Sequence, residues 1–221
     1  MKNRSLNSDT TSHERDQIRE SAHSVLLGSR EKNHASELDE PRMRGPWQVL
    51  RTHEVYSDPW VRLTKDDVIR PDGQPGTHTV TRFKDGVSVL PLDADGGVYL
   101  TEEFHYAVGR RNLEVISGGV ETGEEFLAAA VRELQEEVGL VAARWTPLGV
   151  TDPFTTQALA PVTMYLAEEL SFVAAAPDGT EVIHRVRTSL VEAVEMVMRS
   201  EITHAPSCVL ILKAARYLAE R

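Results

Sequence analysis

The chain has 221 residues, 41% hydrophobic and 26% charged, which suffices for one buried core plus a smaller accessory piece. Its 34 acidic and 24 basic residues give a formal charge of -10, a balance that disfavours nucleic acid or an anionic membrane as partner. A small phosphorylated substrate is not excluded, because a bound cation can invert the local field.

The lone Cys208 cannot form an internal disulfide and reads as a buried small hydrophobe. With no apolar run of about 18 residues and no secretory h-region, a cytoplasmic protein is expected. Residues 1–45 are polar and nearly free of aromatics, the composition of a disordered or weakly structured tail. From residue 46 to 84 the pattern becomes strand-rich, with strands at Val49-Leu50, Val55-Tyr56, Trp60–Leu63, Asp67–Ile69 and His78–Phe83, and a turn at Pro71-Asp72-Gly73.

Residues 85–221 form the main domain. Val87–Leu92 and Val98–Thr101 are expected to pair as a hairpin across Asp93–Gly97. After Gly123 the period changes to about 3.6, and Leu127, Val131, Leu134 and Val138 lie on one helical stripe that Gly139 ends. Thr122 and Glu125 have the spacing of a capping box at its start. Strands return at Trp145–Val150, Val162–Leu166 and Val182–Val186, followed by helices at about Ser189–Arg199 and Pro206–Leu218. This order predicts an α+β or α/β sandwich with a mixed sheet.

The central helix is charged in an uncommon way. Glu133, Glu136 and Glu137 stand at i, i+3 and i+4 and share one face, a spacing at which like charges oppose helix formation. Arg132, four residues before Glu136, can neutralise one carboxylate, and a hard divalent cation would neutralise the others. Ser117-Gly118-Gly119 places small residues just upstream, where main chain can approach a metal or phosphate closely.

Gly118, then Glu124, then Arg132-Glu133-Leu134-Gln135-Glu136-Glu137-Val138-Gly139-Leu140 resembles the Nudix box at every fixed position. The resemblance implies the Nudix fold, an α/β/α sandwich with a mixed sheet between helices. It also implies a pyrophosphohydrolase that uses Mg²⁺, or Mn²⁺ in its place. Glu133 and Glu137 would be the principal metal ligands, Glu136 would serve an additional cation, and the Ser117 carbonyl would take a further position. Arg132 and Glu124 would orient the loop–helix–loop.

From about Trp47 onward the chain is similar to the ADP-ribose pyrophosphatase subgroup. That similarity implies a small nucleotide-diphosphate substrate, a homodimer built on residues 46–84, and a catalytic base in the loop at Asp178–Glu181, which nominates Glu181. Arg110, Arg111, His105 and Glu114 are the candidate substrate contacts. Trp47, Tyr56 and Trp60 suit either a dimer seam or stacking on a base. The chain departs from the subgroup in carrying Glu103 and His105 where Gln and Arg are usual, and Ile116-Ser117 before Gly118 where Pro-Ala is usual. The other readings are a Nudix hydrolase of nucleoside triphosphates or dinucleoside polyphosphates, and a non-catalytic ligand sensor.

Overall fold

A computed structural model describes residues 41–174 and 182–221. The described part begins with an antiparallel sheet: β1 (Arg42–Arg44), β2 (Trp47–Ser57), β3 (Val61–Ile69) and β4 (Pro75–Phe83) pair in sequence order. Pairs of segments read separately from the sequence are continuous here, because polar residues between them, such as Thr64–Asp67, lie on the ladder. The β3–β4 connection is the expected turn, with Gly73 at φ 80, a backbone conformation that other residues adopt only with strain. β1 lies inside the stretch assigned to the polar tail. Arg42, Met43 and Arg44 pair with Val49, Gln48 and Trp47, so a tight turn at Gly45 recruits polar residues through main-chain bonds alone.

The second layer is a mixed sheet in the order β8 (Ile116–Gly119), β5 (Gly86–Pro91), β11 (Val162–Phe172), β9 (Leu140–Thr151). Beside it runs an antiparallel sheet in the order β12 (His184–Ser189), β6 (Gly97–His105), β7 (Arg110–Glu114). β10 (Ala158–Leu159) leaves this domain to pair in parallel with Thr81 and Arg82 of β4.

β5 is buried on both faces because both are covered, with Ser88 its one polar side chain. Val87 and Val89 join the cluster beneath α1 (Phe126–Val138), while Leu90 joins Leu210, Ile211 and Ala214 of α3 (Ala205–Ala219) and Ala193 of α2 (Leu190–Met198). Helix, sheet, helix is the α/β/α sandwich. None of the helices among the described residues is long and apolar enough to cross a membrane.

Three local expectations are corrected. Val87–Leu92 and Val98–Thr101 do not form a hairpin: β5 and β6 belong to different sheets and share only the Leu92–Val98 bridge, since β5 is paired on both edges by β8 and β11. The buried face of α1 is Ala129, Ala130, Leu134 and Val138, whereas Leu127 and Val131 are exposed, because close packing on the sheet selects alanines over branched residues. The capping box does not form. Gly123, at φ 85, turns the chain between Thr122 and the helix, and Glu125 is the N-cap without a side-chain cap bond. The helix does end at Gly139, whose φ of 61 and ψ of 43 are left-handed.

Candidate active site

The site is built where β8 runs into the loop before α1. Arg132 is its hub. Its Nε and Nη2 donate to the two oxygens of Glu124 at 3.0 Å each, and Nη2 also donates to the Gly119 carbonyl at 2.9 Å. Its Nη1 donates to Glu133 at 2.7 Å and to Glu136 at 3.2 Å. This side chain therefore ties the glycine loop, the helix approach and the helix face into one unit. Glu124 closes the loop from its other side by accepting from the Glu121 main-chain N–H at 2.9 Å. Arg132 first, then that N–H, holds the Glu124 carboxyl below the usual carboxylate range.

Glu133 has a different environment. Only 13% of its side chain is exposed, and it lies against Gly118 in space that a Cβ would fill. Burial is the main reason that its pKa is raised, partly offset by Arg132 and reinforced by Glu136 and Glu124. A half-desolvated carboxylate beside two others is a place that favours a cation.

Among the described residues no three acidic or imidazole side chains already converge tightly enough to enclose an ion. The donor chemistry nonetheless fits a hard divalent cation. Glu133 and Glu136 converge on one guanidinium nitrogen, so the position between them already accommodates positive charge, and the donors are carboxylate oxygens. Glu133 and Glu136, with Glu137 of the same helix, would hold such an ion, which would neutralise diphosphate charge and activate water. Ser117 is in β8 beside them, its Oγ 2.8 Å from Ser88 Oγ and donating to the Val115 carbonyl at 3.2 Å.

A cleft of about 300 Å³ opens in front of the loop. Ser88, Ser117, Gly118, Gly119, Trp60, Phe83, Lys84 and His204 are among the residues that line it. Trp60 is positioned by Asp58, whose carboxylate accepts from the Trp60 and Val61 main-chain N–H groups at 2.8 and 2.7 Å. Lys84 bonds Glu121 at 2.7 Å and stands 4.9 Å over the Trp60 ring. The cleft thus combines an aromatic wall, an ammonium group and open main chain, a set suited to a nucleotide diphosphate.

Arg110, Arg111, His105 and Glu114 do not line this cleft themselves, although Glu114 stands 3.1 Å from His204, which does. Arg110 donates to Thr203 Oγ1, just before α3, at 2.9 Å, and Arg111 is 3.5 Å from Glu102 across the β6–β7 hairpin. Glu114 is buried, with one oxygen 3.1 Å from His105 Nε2 and 3.2 Å from Asn112 Nδ2, and the other 3.1 Å from His204 Nδ1. Glu181 lies outside the described residues, as does nearly all of the polar tail. His204 is the residue that sequence reasoning missed; it stands alone between Thr203 and Ala205, and no local spacing connects it to Glu114.

Residues 82–208 match the model of the NUDIX domain. The chain belongs to the Nudix family. Residues 47–81 match a second model, the nucleoside diphosphate sugar hydrolase N-terminal domain, which coincides with the β2–β4 sheet. This Nudix protein is 27% identical over 162 residues to an ADP-ribose pyrophosphatase of Bacillus subtilis, covering 72% of this chain and 86% of that one. It is 26% identical to a methanol dehydrogenase activator of Bacillus methanolicus, covering 70% of this chain and 85% of the relative. An ADP-ribose pyrophosphatase of Mycobacterium tuberculosis is also 26% identical, with coverage of 72% and 78%. In three dimensions the fold matches the crystal structure of an ADP compounds hydrolase with a TM-score of 0.70 at 19% identity, over 84% of this chain and 98% of the other. The chain is accordingly a Nudix pyrophosphohydrolase.

Proposed function

We propose that this Nudix enzyme hydrolyses the diphosphate linkage of a nucleoside diphosphate sugar such as ADP-ribose, with Mg²⁺ held by Glu133, Glu136 and Glu137. The observation that carries the reading is the cleft itself. Trp60 and Phe83 of the N-terminal sheet region line it together with Gly118, which abuts Glu133, so a base stacked on the aromatic wall would lead its diphosphate toward the Glu-rich helix. The N-terminal sheet is the part that matches the nucleoside diphosphate sugar hydrolase domain, and two relatives named ADP-ribose pyrophosphatase span most of the chain. An acidic protein meeting an anionic substrate needs local positive charge, which Lys84 and a divalent ion supply.

We further propose a homodimer in which the N-terminal sheet forms much of the interface. Met43, Val55, Tyr56 and Trp60 are more than half exposed on it, an apolar surface of the kind a partner covers.

The deciding experiment is a substrate panel with Mg²⁺ and detection of monophosphate products. ADP-ribose is expected to yield AMP and ribose 5-phosphate faster than nucleoside triphosphates or dinucleoside polyphosphates are cleaved. Faster cleavage of a triphosphate would discard the nucleotide-sugar reading, and failure to cleave any member with either Mg²⁺ or Mn²⁺ would favour a ligand sensor.

A further inference from the structure

Behind the cleft lies a second polar cluster that the metal-binding helix does not use. Glu114 of β7 is gripped from two sides by imidazoles, His105 of β6 and His204 at the N-cap of α3. His204 Nδ1 is 3.1 Å from Glu114 Oε2 and 2.9 Å from Ser207 Oγ. Ser207 is fully buried, and its Oγ accepts the Val115 main-chain N–H at 3.0 Å. The hydrogen bond of Nδ1 is to Ser207 Oγ, and the Glu114 carboxylate 3.1 Å away favours the tautomer in which Nδ1 carries the proton and donates it there. The opposite tautomer would set a nitrogen lone pair against a carboxylate oxygen. Nε2 is then an unprotonated acceptor, with no hydrogen-bond partner among the described residues, on a ring that lines the cleft with Ser117 and Gly118.

A ring nitrogen held by a buried hydroxyl and biased by a neighbouring carboxylate, on a ring that lines the cleft, is the arrangement of an oriented base. We infer that His204 is a further catalytic residue of this pyrophosphohydrolase, accepting a proton from the attacking water, with Glu114 as its positioning residue. In that step a water O–H bond breaks and its proton passes to Nε2. The oxygen's electron pair forms the new bond to phosphorus. The bond from that phosphorus to the bridging oxygen breaks, its pair leaving on the departing phosphate, and the imidazolium later releases its proton to solvent.

The surroundings keep the base free at neutral pH. Burial lowers the His204 pKa, Glu114 opposes this by raising it, and His105 adds to the lowering. The N-terminus of the 15-residue α3 disfavours the imidazolium further. Other charges near it are Arg110, bonded to the neighbouring Thr203, and Lys84, which lines the same cleft.

The test compares pH–rate profiles of wild type, His204→Asn, Glu114→Gln and Glu181→Gln. The inference rests on the substrate proposal only for its probe: ADP-ribose is used, or whichever panel diphosphate the wild type cleaves fastest, so a wrong sugar leaves this test intact. His204→Asn is expected to lose about 10²–10⁴-fold in kcat with KM little changed, to lose the acid limb of the profile, and to regain rate with added imidazole when the side chain is instead cut to Ala. Glu114→Gln should move the acid limb lower, since the carboxylate raises the His204 pKa. If His204→Asn keeps its rate and acid limb, if its loss lies in KM, or if Glu181→Gln alone abolishes the limb, the assignment is overturned. Should the His204 variants melt well below wild type, the wild-type profile decides: an acid limb below the ordinary histidine value of about 6.5 supports the base, and the lack of any limb between about pH 4 and 7 overturns it.

Discussion

The Glu133 carboxylate occupies the space that a Cβ on Gly118 would fill. This glycine, next to last in β8, is therefore required by what stands opposite it and not by its own backbone angles. Gly118→Ala should push Glu133 away from the loop and disturb the Arg132 bonds to Glu133 and Glu136. The loss expected is on the order of 10²–10³ in kcat, comparable to removing one charge-stabilising group. Circular dichroism should show an unchanged fold. A variant with wild-type turnover would mean that Glu133 is not held in its working position here.

Glu137→Gln and Glu133→Gln keep side-chain shape while each removes a negative ligand. Both should weaken Mg²⁺ activation and lower turnover by orders of magnitude without lowering the melting temperature. For Glu133 the melting temperature should even rise slightly, because its burial opposes the ionised form. Metal titration of activity, with thermal melts in EDTA, checks both statements.

The Arg132–Glu124 pair gives a pH signature. Arg132 and the Glu121 N–H lower the Glu124 pKa in the folded state, so the interaction contributes fully above the unfolded value of about 4.3 and is lost as pH falls through the folded value. Glu124→Gln should therefore cost about 1–2 kcal/mol in urea unfolding above about pH 5, and the two proteins should converge below about pH 3. A difference persisting at pH 2 would assign the effect to shape instead of charge.

Much of this was legible in the sequence, for unequal reasons. Gly118, Glu124, Arg132, Glu133 and Glu136 could be read because each needs one residue type at one spacing, and the structure brings them together. Leu127 and Val131 were misread because hydrophobicity does not report close packing, which here buries Ala129 and Ala130 instead. β7 and β8 were not anticipated; their arginines and glycines carry no strand propensity, and long-range pairing with β6 and β5 holds them. His204 was invisible for a similar reason. It acquires meaning only when α3 folds back on β7, far away in sequence.

Trp60 tests the aromatic wall. It is 65% exposed and fixed by Asp58, so Trp60→Ala should leave the fold intact. If a base stacks on it, KM should rise about 5- to 100-fold, the equivalent of roughly 1–3 kcal/mol, with kcat nearly constant. Loss in kcat alone would place the ring elsewhere in the reaction.

The N-terminal sheet also carries the proposal of assembly. Its Met43, Val55, Tyr56 and Trp60 are exposed, as is Phe83 at 45%, apolar side chains that a lone subunit would leave in water. β1 pairs with only Trp47–Val49, so the remainder of β2 is a sheet edge with no strand beside it among the described residues, a second feature that a partner would cover. Two copies related by a two-fold axis would cover one another's apolar face. Light scattering at micromolar concentration should give about twice the chain mass of 24.6 kDa, and activity should fall on dilution if the partner completes the cleft. Val55→Lys, on that sheet but outside the cleft, should split the dimer. If the variant becomes monomeric with full activity, the sheet joins two independent sites. If the wild type already scatters as one chain with full activity, the exposed aromatics belong to the substrate alone.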